Sequence, residues 1–176
     1  GLNHYTTRLV RKLRPGEVAG SWPLYGSEEL NIAMESDPSW GTTDLDWFTI
    51  YPAGFRKQLE WLNRTYDVKE IIILENGVVS LDPGLVDTVR VNFYRDYLEQ
   101  IAFAINDGIP VTGYTAWTLM DNFEWLGGLS TKFGLYAVDF NDPNRTRTPR
   151  ESAHFYAQVA KSRTLRITND NLSNIL

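Results

Sequence analysis

Two glutamates stand where a carboxylate could do chemistry. Glu75 closes the run Ile71-Ile72-Ile73-Leu74 and is followed by Asn76-Gly77. Four consecutive aliphatic residues bounded by Asn-Gly predict a short strand buried on both faces, as in a parallel sheet covered by helices. Burying a carboxylate at the end of such a strand is costly unless the charge is paired or hydrogen-bonded. In barrels of alternating strands and helices, a polar residue at the C-terminal end of a strand belongs as a rule to the active site; the plainer alternative is that Glu75 starts a turn. The second glutamate, Glu124, follows another expected strand, Val111 to Leu119, in a loop that reads Asp121-Asn122-Phe123-Glu124-Trp125. The alternative there is a charge in the first turn of a helix.

These two strand ends need elements to hold them. Leu2 to Thr7 reads as a strand with Asn3 and Tyr5 on one face and His4 on the other. Arg8 to Trp47 has no convincing period, but Trp22, Trp40 and Trp47 supply enough burial to make it a packed rim loop rather than disorder. Pro52 to Tyr66 is an expected helix, with proline at its first position and Phe55, Leu59 and Leu62 on one stripe. A longer helix follows over Val86 to Asn106, with Val86, Val89, Phe93, Tyr97, Ile101 and Ala104 inward and Gly108 as a left-handed cap. Strand, helix, strand in this order is a parallel crossover unit. Gly134 to Phe140 reads as a short strand. Thr148-Pro149-Arg150-Glu151 reads as a capping box that opens a last helix ending near Lys161.

With these stretches in hand, the chain resembles family 1 of the glycoside hydrolases, the retaining β-glucosidase family. The resemblance rests on Leu-Glu-Asn-Gly, Ala-Trp-Thr-Leu-Met-Asp-Asn-Phe-Glu-Trp, Lys-Phe-Gly-Leu, Arg-Thr-Pro-Arg-Glu-Ser and the opening Asn-His-Tyr-Thr, all in family order. It implies an α/β fold: the C-terminal portion of a (β/α)8 TIM barrel, with about three barrel strands and their helices. Residues 1–161 are then part of a single catalytic domain, with 8–47 as a long rim loop and 162–176 as a tail. The resemblance assigns Glu75 as the nucleophile and Tyr5 as a hydroxyl in contact with it. Asn3, Trp117, Glu124, Trp125 and Phe133 fall at positions that line the sugar site, and Asp121 and Asn122 at positions that brace the loop. Retaining hydrolysis needs a second carboxyl about 5–5.5 Å away; the family carries it in Asn-Glu-Pro, which this chain does not contain. That acid, and the early barrel strands, are expected on an N-terminal part of the same barrel.

Charge and composition exclude other classes. A net charge of −5 argues against nucleic acid as a partner. No apolar run approaches the length needed to cross a membrane. With no cysteine there is no disulfide or thiolate metal site, and no cofactor or metal is expected. The expected substrate is a β-glycoside with a non-phosphorylated sugar, because a sugar phosphate would meet the like charge of Glu124. Sequons at Asn63, Asn144 and Asn171 tilt the compartment toward secreted or lumenal. Two alternatives share the same residues: a thioglucosidase, or a non-catalytic relative that uses the barrel as a receptor or scaffold.

Overall fold

The computed structural model describes residues 1–20 and 26–165; Trp22, the Asn171 sequon and most of the expected tail lie outside them. In chain order the elements are β1 (Leu2–His4), β2 (Leu9–Lys12), β3 (Ile32–Glu35), β4 (Gly41–Thr42), β5 (Thr49–Ile50), α1 (Pro52–Thr65), β6 (Ile71–Asn76), α2 (Thr88–Asn106), β7 (Val111–Ala116), β8 (Tyr136–Val138), β9 (Arg147–Pro149) and α3 (Glu151–Ser162), with a 3-10 turn at Trp125–Gly127. Strands β1, β6 and β7 form one parallel sheet in that spatial order. The expected crossover order is therefore present, with α2 between β6 and β7.

One face of this sheet carries the core. Ile71 and Ile73 point into a cluster with Phe55 and Leu59 of α1, Phe93, Tyr97 and Ile101 of α2, and Ala153 and Phe155 of α3. His4 joins them: its ring stacks on Phe55 at 4.4 Å and its Nδ1 donates to Gln58 Oε1 at 2.7 Å. Burial lowers its pKa to about 4, against the opposing pull of the Gln58 hydrogen bond.

The other face is open, which corrects the expectation of a doubly buried strand. Ile72 is exposed and Leu74 is 50% exposed, so the described residues leave that side of β6 only partly covered. A continuous aliphatic run identifies a strand that suits burial on both faces, but not whether both covers are in the same chain.

Several boundaries also move. The second helix starts at Thr88, so Val86 precedes it and Val89 faces outward. Thr148 and Pro149 do not form a capping box. They belong to β9, paired with Ala137 and Tyr136, and α3 begins at Glu151 with no side-chain cap. Gly108 does take the left-handed conformation, at φ 85°, with its N–H on the Ile105 carbonyl. Part of the long rim segment pairs as the antiparallel β2–β3 hairpin, pinned by Arg11 bridging Glu17 and Glu35. Trp40 in its later part stacks on Tyr51 at 4.4 Å, and Phe48, one residue past its end, packs inward.

Candidate active site

Simple alternation would put Glu75 on the helix side of β6, in phase with Ile71 and Ile73. The structure does not do this. The ladder to β1 skips from Leu2↔Ile73 to Asn3↔Glu75, and the ladder to β7 shifts between Ile73 and Asn76. The extra residue at Leu74 is a β-bulge, and bulges re-aim side chains. Asn76, not Glu75, inherits the buried phase and is fully inaccessible, while Glu75 turns to the open face opposite Asn3. Asn3 itself is exposed on that face.

There Glu75 meets Tyr5. The phenol hydroxyl donates to Glu75 Oε2 at 2.5 Å. Burial, then the hydrogen bond to Glu75 and its charge, and more weakly the charge of Glu124, hold the Tyr5 hydroxyl well above the usual phenol range. Tyr5 is therefore a fixed donor to the carboxylate. Its ring is gripped edge-on by Phe133 at 5.9 Å and Phe48 at 6.4 Å. Phe133 is buried in this aromatic group, as a floor beneath the tyrosine.

The second glutamate is reached through Trp117, just beyond β7. Trp117 Nε1 donates to Glu124 Oε1 at 2.9 Å, and Glu124 is only 9% exposed. An indole has one N–H and no acceptor, so this contact orients the carboxylate while leaving Oε2 for another donor. The turn that brings Trp117 back over β6 needs glycine at 77. A Cβ there would sit 1.9 Å from the Trp117 carbonyl oxygen. The Trp117–Thr118 peptide is cis.

Behind the loop is a buried ion pair. Arg150 Nη1 and Nη2 donate to the two oxygens of Asp121 at 3.0 and 2.8 Å, and Asp121 also accepts from the Gly134 N–H. Arg150 further donates to the Gly134 carbonyl at 2.6 Å and the Gly84 carbonyl at 2.9 Å. Asp121 is thus a brace, which agrees with its expected place behind the site. Asn122 makes a long contact to the Met120 carbonyl, at 3.3 Å.

The structure brings Tyr5, Glu75 and Phe133 into one group, and Trp117 and Glu124 into another linked to it through the field on Tyr5. It does not bring Trp125 in: that ring is 85% exposed, and among the described residues its indole makes no hydrogen bond or ring contact. Three participants escaped the reading of the sequence. Asn76 was visible only as half of an Asn-Gly boundary. Tyr114, whose hydroxyl donates to Asn76 Oδ1, is one residue among nine in the expected strand Val111 to Leu119. Arg150 was read as part of a cap.

A model of glycosyl hydrolase family 1 matches residues 1–165. The chain is 42% identical over 159 residues to the lactase/phlorizin hydrolase of Homo sapiens, covering 90% of this chain and 8% of that protein. It is 37% identical over 168 residues to the cytosolic beta-glucosidase of the same species, covering 93% and 34%. Among solved structures it superposes on aphid myrosinase with a TM-score of 0.81 at 35% identity, covering 90% of this chain and 33% of that one. The glucose complex of a beta-glucosidase from the fungus Humicola insolens gives 0.76 at 31% identity, covering 91% and 35%. The chain thus spans about a third or less of the length of these relatives.

Proposed function

Because the chain belongs to glycosyl hydrolase family 1 and its parallel sheet is a portion of that family's (β/α)8 barrel, we propose that it supplies the nucleophile and half of the sugar pocket of a retaining β-glucosidase-like enzyme. The observation that carries this reading is the Tyr5 hydroxyl on Glu75 at the C-terminal end of a parallel strand. The Glu75 carboxylate attacks the anomeric carbon, the glycosidic C–O bond breaks toward the leaving oxygen, and a covalent glycosyl ester forms on Glu75. Water then hydrolyses that ester. The carboxyl that protonates the leaving oxygen and later activates the water belongs to an N-terminal part of the barrel. No step needs a metal or cofactor.

The remaining residues sort by what they offer. Glu124, oriented by Trp117, accepts from adjacent hydroxyls of a non-phosphorylated sugar. Asn3 offers an amide beside Glu75. Trp125 offers an exposed ring for stacking on the sugar, and Phe133 fixes the floor through Tyr5. The exposed aliphatic side chains of Ile72 and Leu74 fit contact with the N-terminal part.

Residues 1–176 expressed alone should show no hydrolysis of an aryl β-glucoside and little soluble fold. Co-expression with the N-terminal part of the barrel should restore both, and the first-formed sugar should have the β configuration by NMR. A lone chain that melts cooperatively and turns over substrate, or an α product, would overturn the reading.

A second reading, a thioglucosidase, is favoured by the likeness to aphid myrosinase. The two separate on relative turnover of an O-glucoside and its S-glucoside. The secreted or lumenal assignment rests on the sequons at Asn63, Asn144 and Asn171, of which the first two are exposed; a relative named cytosolic points the other way. A mobility shift of the natural protein on enzymatic deglycosylation decides between them.

A further inference from the structure

The bulge that re-aims Glu75 needs something to hold it, because an extra residue leaves the local ladder incomplete. The side chain of Asn76 is placed to do this. It is fully buried, donates from Nδ2 to the His4 carbonyl of β1 at 2.8 Å, and accepts at Oδ1 from the Tyr114 hydroxyl of β7 at 2.7 Å. One amide therefore joins both neighbouring strands through β6, one residue past Glu75. Its backbone carbonyl takes the Trp117 N–H at 2.8 Å, tying the same point to the segment that orients Glu124.

The proton assignment is forced. A carbonyl only accepts, so Nδ2 must face His4; the oxygen left toward Tyr114 only accepts, so the phenol must donate. Tyr114 is itself anchored from behind, since its backbone carbonyl takes the Tyr156 hydroxyl at 3.2 Å. Burial holds the Tyr114 phenol well above its ordinary range, so it remains a donor.

We infer that Asn76, with Tyr114 as its partner, is a positioning residue that fixes the direction of the Glu75 carboxylate through the bulge. The inference rests on the reading of Glu75 as the nucleophile. It requires both halves of the amide, one donor and one acceptor, and that requirement makes it separable from simple packing. A protonated aspartic acid keeps one donor and one acceptor in the same shape, whereas an aspartate sets a carboxylate oxygen against the His4 carbonyl. The titratable groups around position 76 are the Tyr114 phenol bonded to it, the Tyr94 phenol bonded to the adjoining Trp117 carbonyl, both kept protonated by burial, the His4 imidazole on the neighbouring strand, which burial keeps neutral down to about pH 4, and Glu75 itself.

The test uses the barrel completed by its N-terminal part and an activated 2-deoxy-2-fluoro glucoside, with the rate of covalent labelling as readout. Wild-type label is first mapped; label away from Glu75 would overturn the nucleophile reading on which this rests. With Glu75 labelled, Tyr114→Phe should slow labelling about 10- to 100-fold, the scale of a small misplacement of a reacting group, while leaving the affinity for glucose unchanged. Asn76→Asp should label slowly at neutral pH and recover as the pH falls and the new carboxyl protonates. Wild-type rates in Tyr114→Phe, or a parallel loss of glucose affinity and rate, would overturn the positioning role. If Tyr114→Phe does not fold, the labelling rate of Asn76→Asp divided by that of wild type at each pH decides alone, since protonation of Glu75 itself slows both: a ratio flat or falling toward acid contradicts it.

Discussion

The two faces of the β1–β6–β7 sheet differ in kind. The helix-side face is filled, with Asn76 bonded to Tyr114 and the His4 carbonyl, and His4 bonded to Gln58 through Nδ1 while its Nε2 has no partner among the described residues. The opposite face carries Asn3, Glu75 and half-exposed aliphatic side chains. The filled face fixes the backbone, and the bulge at Leu74 turns the Glu75 carboxylate the other way. A site built on strands with a packed rear face holds its geometry without spending substrate binding to organise it. On the proposed function, the rest of the barrel and the sugar lie against the open face.

The sharpest way to break the contrast is to remove a rear brace. Arg150→Met strands the buried Asp121 charge and two backbone carbonyls. It should destabilise the completed barrel by about 3–5 kcal/mol in urea unfolding, the usual cost of losing one partner of a buried pair. A loss below about 1 kcal/mol would mean that the Glu124 loop does not depend on it.

Next come Ile73 and Leu74, neighbours on opposite faces. Ile73→Ala should cost about 2–5 kcal/mol. Leu74 is 50% exposed in this chain, yet in the completed barrel Leu74→Ala should cost nearly as much, because that face is then filled. A Leu74→Ala cost of a few tenths of a kcal/mol would show that the face stays open and would undo the comparison.

His4 gives the filled face a signature in pH. Its folded pKa of about 4 lies below the unfolded value of 6.5, so the folded protein keeps it neutral. As pH falls through 6.5 the unfolded chain takes up a proton that the folded one refuses, and stability drops until pH about 4. The drop from this residue is roughly 3 kcal/mol. The slope of unfolding free energy against pH should flatten over that window in His4→Phe; an unchanged slope removes His4 as its source.

The smallest effect belongs to the loop beyond β7. Glu124→Ala should raise the barrier by about 1.5–3 kcal/mol for a glucoside, and by much less for the 4- or 6-deoxy sugar. Equal losses across the deoxy series would sink its role in recognition.

Much of this was legible in the residues. Element types and order followed from apolar runs and from Pro52 and Gly108, which signal locally. Glu75 and Glu124 followed from the motifs around them. What the chain alone hid was whatever depends on a distant partner. The bulge needs two neighbouring ladders to exist. Asn76 looks like a turn residue until Tyr114, 38 positions on, reaches it. Arg150 looks like a cap until Asp121 folds back, and Thr148-Pro149 looks helical until Tyr136 and Ala137 pair with it. Val86 and Val89 fit a helical stripe by spacing alone, but the helix begins after the first and turns the second to solvent.

The central claim is that Glu75 is the atom-bearing nucleophile, and one measurement meets it directly. The completed barrel is incubated with a 2-deoxy-2-fluoro glucoside carrying an activated leaving group, digested, and mapped by mass spectrometry. The account predicts a single fluorosugar ester in the peptide that contains Leu74-Glu75-Asn76-Gly77, lost in Glu75→Gln. A label on another residue, or full turnover with no ester in any peptide, would contradict it.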